Sequence, residues 1–248
     1  PYLRTTAYSG QQRVFSRSSM GHEGTSGLGY SGHEWVGKEI AGNTFDYSFA
    51  HGLSIATAKN YSFVSTSSEA FSSAVYNATP YAAIDYIAGL QADLPYNLKS
   101  YPVFTSALCD KLQRYLKNGG SLFLSGSYIG SDSQNSKELR DFTEEVLKYK
   151  YDGSARICSS DEVNGLNMQF RIYREPNAQH YAALAPDAIL PSAGKAFSAF
   201  AFADGQGAGV AFKGKTYRTL CMSFPFECIQ EADVRHRAMQ AILGFLCK

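Results

Sequence analysis

Two periods alternate along this chain. Thr105 to Asn118 places Leu108, Leu112, Tyr115 and Leu116 at the i, i+4, i+7, i+8 spacing of one helical face, with Thr105 or Ser106 available as a cap, and predicts a helix. Gly119-Gly120 stops it. Ser121 to Ser125 is then a short apolar run suited to a strand buried on both faces. Gly126 and Gly130 bracket Ser127-Tyr128-Ile129 as a sharp turn, and Ser131 and Asp132 can cap a helix beyond it. Ser136 to Lys150 predicts a further helix through Leu139, Phe142, Val146 and Leu147, with Glu144 spaced to pair with Lys148. Glu231 to Leu246 predicts the last helix, buried through Val234, Ala238, Ala241, Ile242 and Phe245, with His236 on its solvated side.

Upstream, Trp35 to Asn43, Tyr61 to Ser65 and Tyr81 to Leu90 read as strands. A helix runs from Thr44–His51 on to Ala58, and a short amphipathic piece covers Phe71 to Tyr76. Strands alternating with helices predict a parallel sheet with crossover helices. From Tyr151 to Phe224 the pattern changes to strands and turns, among them Met168–Tyr173, Ala196–Phe202, Val210–Phe212 and Tyr217–Phe224, which read as an antiparallel extension. Residues 1–34 are rich in Ser, Gly and Thr with neither period and read as an irregular arm. The expected organisation is that arm followed by one three-layer α/β domain over residues 35–248.

At 248 residues the chain is long enough to bury a large core. Lys and Arg total 23 against 22 Asp and Glu and are scattered, which argues against a nucleic-acid groove or an anionic membrane surface. No apolar run reaches the roughly 18 to 20 residues that span a bilayer. The five cysteines, Cys109, Cys158, Cys221, Cys228 and Cys247, are dispersed and odd in number, so they read as core thiols rather than a zinc site or a disulfide framework. The 17 Tyr, 16 Phe and 22 Gly, with charged residues at only 18%, resemble extracellular bacterial domains, and a start at Pro1 suggests a processed or excised part of something longer.

In open α/β sheets ligands gather at the carboxyl ends of the strands. That rule selects a candidate cleft of Asn43, Asp46, His51, Gly89, Gly126, Ser127, Tyr128 and Glu227. Asn43 and Asp46 can equally be helix caps, and His51 a packed histidine. His22-Glu23 and His33-Glu34 lack the HExxH spacing that sets two imidazoles on one helical face, so neither a metal nor a cofactor is expected.

A strand, a GxxxG turn, and late strands ending in Pro225 and Glu227 before a C-terminal helix resemble class I glutamine amidotransferase-like domains, relatives of the flavodoxin fold. The resemblance implies a three-layer, mostly parallel sheet with an antiparallel extension. It places Gly126 and Gly130 at the elbow glycines, Gly89 at the oxyanion glycine and Glu227 at the acidic partner. Tyr128 then stands where the family has its nucleophilic cysteine, and Pro225 where it has its histidine. A phenol with a pKa near 10 and no adjacent imidazole cannot replace a thiolate, so glutaminase chemistry is not expected. The stretches KEIAGNTFDYSFAHG, YIAGLQ, LKNGGSLFLSGSYIGSD and TLCMSFPFE also look like domains near the C-terminus of large secreted bacterial proteins labelled xanthan lyases.

These readings together suggest a catalytically degenerate accessory domain of a secreted glycan-processing protein, extracellular, periplasmic or on the cell surface, acting in binding or structure. Its expected partners are an oligosaccharide or cell-wall fragment and upstream domains of the same polypeptide. Tyr47, Tyr128 and Phe226 are candidates for stacking on sugar faces. Two catalytic alternatives stay open: a hydrolase in which Ser127 attacks an acyl group, with His51 or another imidazole as base and Asp46 or Glu227 orienting it, and a polysaccharide lyase in which Tyr128 is general acid or base, assisted by His51.

Overall fold

The computed structural model describes residues 13–14, 39–40, 47–58, 60–92, 102–154, 161–174, 182–183 and 185–247. Asn43, Asp46, Cys158, the His-Glu pairs at 22–23 and 33–34, and most of the arm lie outside them. The described strands are β1 (Arg13–Val14), β2 (Glu39–Ile40), β3 (Ala83–Gly89), β4 (Ser121–Gly126), β5 (Tyr149–Ser154), β6 (Glu162–Gly165), β7 (Met168–Arg171), β8 (Asp187–Pro191), β9 (Ala196–Phe202), β10 (Gly207–Lys213) and β11 (Arg218–Met222). The α-helices are α1 (Tyr47–Thr57), α2 (Ser68–Ser72), α3 (Ser106–Lys117), α4 (Lys137–Asp141) and α5 (Ala232–Leu246).

Seven strands form one sheet in the order β3-β4-β11-β10-β9-β6-β7. β3, β4 and β11 are parallel, with Asp85 beside Phe123 and Phe123 beside Leu220. Every other pairing in the sheet is antiparallel. Two smaller antiparallel pairs, β1 with β2 and β5 with β8, form separate ladders, and β8 packs against β10.

This corrects the expected fold class. The sheet is mixed and mainly antiparallel, not a mostly parallel flavodoxin-like sheet, because two of the strands expected to extend its parallel part do not enter it. Within Trp35–Asn43 the described residues Glu39–Ile40 pair with Arg13–Val14 instead. Residues 61–67 lie outside any strand, with Phe63 and Val64 exposed. Period-2 patterning identifies extended backbone, but not whether a neighbour pairs with it.

The other elements obey local chemistry. α3 is capped by Thr105, whose hydroxyl accepts from the Leu108 amide at 3.3 Å. Leu108, Leu112 and Leu116 are buried along it, each stabilising the fold by about 1.5–3 kcal/mol. The helix ends at Asn118, and Gly119 takes the left-handed φ of 98° that turns the chain into β4. β4 is buried throughout, its Phe123 joining one apolar cluster and Leu122 and Leu124 the other, as successive side chains reach opposite faces. α1 and α5 pack together on the Phe123 side. The helix expected over Ser136–Lys150 is shorter: α4 passes into a π-helical turn at Phe142–Leu147, and Lys148, with φ of 71°, ends it. The Lys148 ammonium lies over the Phe212 ring, 5.7 Å from its centroid.

Two glycine substitutions test this packing with opposite signs. A Cβ on Gly207 would lie 2.1 Å from the Ile189 carbonyl oxygen, so Gly207→Ala should lower stability by roughly 1–3 kcal/mol. Gly244 sits within α5 with nothing within 4 Å of an added Cβ, so Gly244→Ala should raise stability by up to about 1 kcal/mol. Urea denaturation measures both.

Candidate functional site

α1 presents His51, Ser54 and Ile55 on one face, at helical spacing, and all three are buried. Phe49 and Leu53 point the other way and are exposed. His51 therefore enters the core between two carboxylates from distant parts of the chain. Its Nδ1 lies 2.7 Å from Asp85 Oδ2, and its Nε2 lies 3.2 Å from Glu227 Oε2.

Each partner is placed by regular structure. Asp85 projects from β3 toward the face that carries Phe123, in alternation with Tyr86 and Ile84, which join the other cluster. Glu227 lies in a 3-10 turn, Phe226–Cys228, beyond the end of β11. That turn is stapled to the end of β7: the Tyr173 amide donates to the Cys228 carbonyl and the Gln230 amide to the Arg171 carbonyl, at 2.8 and 2.9 Å. Phe226 meets the imidazole edge-on with centroids 4.7 Å apart, and Phe123 stacks at 6.2 Å.

Burial, the largest single influence on His51, disfavours its charge. The charges and hydrogen bonds of Asp85 and Glu227 together outweigh it and raise the imidazole to about 10. His51 is an imidazolium at neutral pH, with both N–H groups engaged. It cannot accept a proton from Ser127 in that state. Arg235 adds a second cation, whose charge acts on Glu227 and whose guanidinium donates to the Ile229 and Gln230 carbonyls.

The turn at the end of β4 is a separate structure. Gly89 ends β3 at a bulge with φ of 58°, and its carbonyl accepts from the Ser127 amide at 2.8 Å. The Gly130 amide, the Ser131 amide and the Ser131 hydroxyl all donate to Asp187 Oδ2, at 2.8, 2.7 and 3.0 Å. Burial outweighs these donors and holds the Asp187 carboxyl up at about 6. Amides that would face an anion at such a turn are thus taken by the chain's own carboxylate. Ser127 is fully buried, and its hydroxyl has no hydrogen-bond partner among the described residues.

The sequence-derived cleft therefore divides. His51 and Glu227 meet, as do Gly89, Gly126 and Ser127, while Tyr128 is half-buried on the turn. Phe226 is a core residue without free surface, and the Tyr47 side chain lies outside the described part. Cys109, Cys221 and Cys228 are buried thiols, and burial pushes Cys109 up to about 12. Sequence reasoning missed Asp85. Its signal was an acid at the centre of an otherwise apolar strand, where burial demands a partner.

A cavity of about 210 Å³ adjoins the imidazolium. α1, residues 61–66, the start of β3 and the end of α5 enclose it, and His51 and Asp85 are among its walls. Gly89, Gly126, Ser127, Tyr128 and Glu227 do not line it.

No protein-family model matches the chain, and no curated sequence is significantly similar to it. Solved structures do share its backbone. The exo-β-1,4-mannosidase Op5Man5 from Opitutaceae bacterium strain TAV5 aligns over 95% of this chain with a TM-score of 0.53 and 8% identity. Cytoplasmic protein STM1381 from Salmonella typhimurium LT2 aligns over 85% of this chain and 89% of its own, with a TM-score of 0.52 and 12% identity. A β-galactosidase from the haloarchaeon Halorubrum lacusprofundi covers 69% of this chain at 14% identity, with a TM-score of 0.45. The chain spans 34% of the mannosidase and 23% of the galactosidase. At these identities the likeness is one of fold. The amidotransferase-like and lyase-labelled resemblances are corrected accordingly: no family model supports them, and the structures that share the fold over most of the chain are part of a mannosidase and the protein STM1381.

Removing His51 leaves the buried Glu227 and the partly buried Asp85 without the cation they share, so His51→Ala should cost roughly 3–5 kcal/mol at pH 6.5 by urea denaturation. The folded imidazole lies above its unfolded value of 6.5, so its contribution is complete below that pH and is lost as pH rises through about 10. The gap between wild type and variant should narrow over that interval. A gap that does not change with pH contradicts the charged assignment.

Proposed function

We propose that this chain is a carbohydrate-binding accessory domain of an exported glycan-processing protein, holding carbohydrate rather than cleaving it. The observation that carries this reading is the alignment of 95% of the chain with about a third of an exo-β-1,4-mannosidase. The fold is one that a larger glycan-cleaving chain contains as a part. The site chemistry agrees with a holding role. The histidine that would have served as base is a buried cation locked between carboxylates. The serine that would have attacked is buried, and its turn is closed by Asp187.

Thermal unfolding in the presence of mannan, galactan and their oligosaccharides tests the reading. A bound ligand at about 100 times its dissociation constant adds about 2.7 kcal/mol and should raise the midpoint by about 5 to 10 °C, with no new reducing ends released. No shift with any carbohydrate, or release of reducing ends that scales with protein concentration, contradicts it.

A further inference from the structure

We infer that the groove between residues 72–82 and α3 binds an acidic saccharide, whose anionic group is held by Lys111 and Arg114. This inference rests on the carbohydrate-binding reading and gives it a location and a ligand class.

The groove has two walls that are braced against each other. Residues 72–82 supply one, and α3 with Gly119 and Gly120 beyond its end supplies the other. Lys111 Nζ donates to the Ser73 carbonyl across the groove, and the Tyr115 hydroxyl donates to the Tyr81 carbonyl at 2.8 Å. Between those braces Asn77 Oδ1 accepts from the Thr79 amide at 3.0 Å and fixes a turn. Walls held in place before a ligand arrives reduce the ordering cost of binding.

The sign of the ligand follows from the groove's own lining. Lys111 and Arg114 are the charged residues that line it, and no Asp or Glu does. Lying three apart on α3, they share one face of the helix. Neither forms an ion pair with a carboxylate among the described residues. Asp110, one turn before Arg114, offers it a backbone carbonyl, which accepts from Nε at 3.2 Å. Desolvation and the charge of Arg114 hold the Lys111 ammonium below its ordinary value, and an anion between the two cations would offset their repulsion.

The donors are of the kind that takes a carboxylate or a sulfate ester. Lys111 is positioned over the Phe71 and Tyr76 rings, 5.4 and 5.5 Å from their centroids, and an ammonium has donors beyond the one that Ser73 receives. Arg114 is exposed, and its Nη groups meet no acceptor among the described residues, which leaves the paired donors of a guanidinium for two oxygens of one anion. The rest of the lining suits a sugar rather than a bare ion. Tyr81 is 39% exposed and offers an aromatic face to the C–H groups of a ring, while Asn77, Thr79 and Asn118 are exposed polar groups within reach of hydroxyls.

Isothermal titration at low salt with oligogalacturonate, a sulfated oligosaccharide, and neutral galactan and mannan oligosaccharides tests this. One acidic series should bind about tenfold tighter than the neutral ones and lose that advantage as NaCl is raised, and which series does so assigns the carboxylate or the sulfate. Arg114→Gln alters an exposed side chain whose hydrogen bond lies within its own helix, so it spares the fold, and it should weaken binding roughly fivefold. Lys111→Gln should weaken it as well. Lys213→Gln, at an exposed cation outside the groove, should leave it unchanged. If neutral oligosaccharides bind as tightly as acidic ones, if Arg114→Gln leaves the affinity unchanged, or if Lys213→Gln weakens it equally, the inference falls while the carbohydrate-binding reading stands. If no carbohydrate binds the wild type, both fall. Tighter binding of polyglutamate or single-stranded DNA than of every acidic saccharide overturns the ligand class.

Discussion

A single buried imidazolium ties together the parts of this structure that are farthest apart in sequence. His51 on α1, Asp85 on β3 and Glu227 after β11 meet through two short contacts. A buried charge destabilises a core unless its partners are in place, so the assembly constrains three elements at once. α1 must present one face, β3 must place an acid opposite Phe123, and the turn after β11 must be held to β7. The aromatic rings of Phe123 and Phe226 pack against the imidazole and against each other.

A second buried carboxylate has the opposite consequence for function. Asp187, at the start of β8, draws in the amides of Gly130 and Ser131, and its own amide donates to the Ser127 carbonyl at 2.8 Å. The turn at the carboxyl end of β4 becomes a structural joint. The open space is displaced to the α1 and α5 side of the sheet, where Asp85 faces a cavity that is otherwise largely aromatic and apolar. A sheet in which only three strands run parallel has a short carboxyl edge, and here the β4 turn on that edge is filled by the chain itself.

What the sequence displayed was local. The stripe of Leu108, Leu112 and Leu116 marked α3, the apolar run after Gly120 marked β4, and Val234, Ala238 and Ile242 marked α5, because each pattern is created by burial of one face or both. Pairing was not displayed. Residues 61–67 carry the look of a strand, yet no ladder forms there, and the Ser136–Lys150 pattern did not reveal that Lys148 breaks the helix. The site was half visible. His51 and Glu227 stood out as titratable residues near turns, while Asp85 resembled an ordinary polar interruption of β3, since a partner 34 residues away in sequence leaves no periodic trace.

The charged state of His51 is the centre of this account, and long-range proton–nitrogen NMR of the imidazole measures it directly. At pH 7.5 both His51 ring nitrogens should resonate as protonated N–H groups, unchanged on raising the pH to about 9, as expected for a group raised to about 10. A spectrum of one protonated and one bare nitrogen at pH 7.5 would show a neutral ring. The charge balance that ties α1 to the sheet would then be wrong.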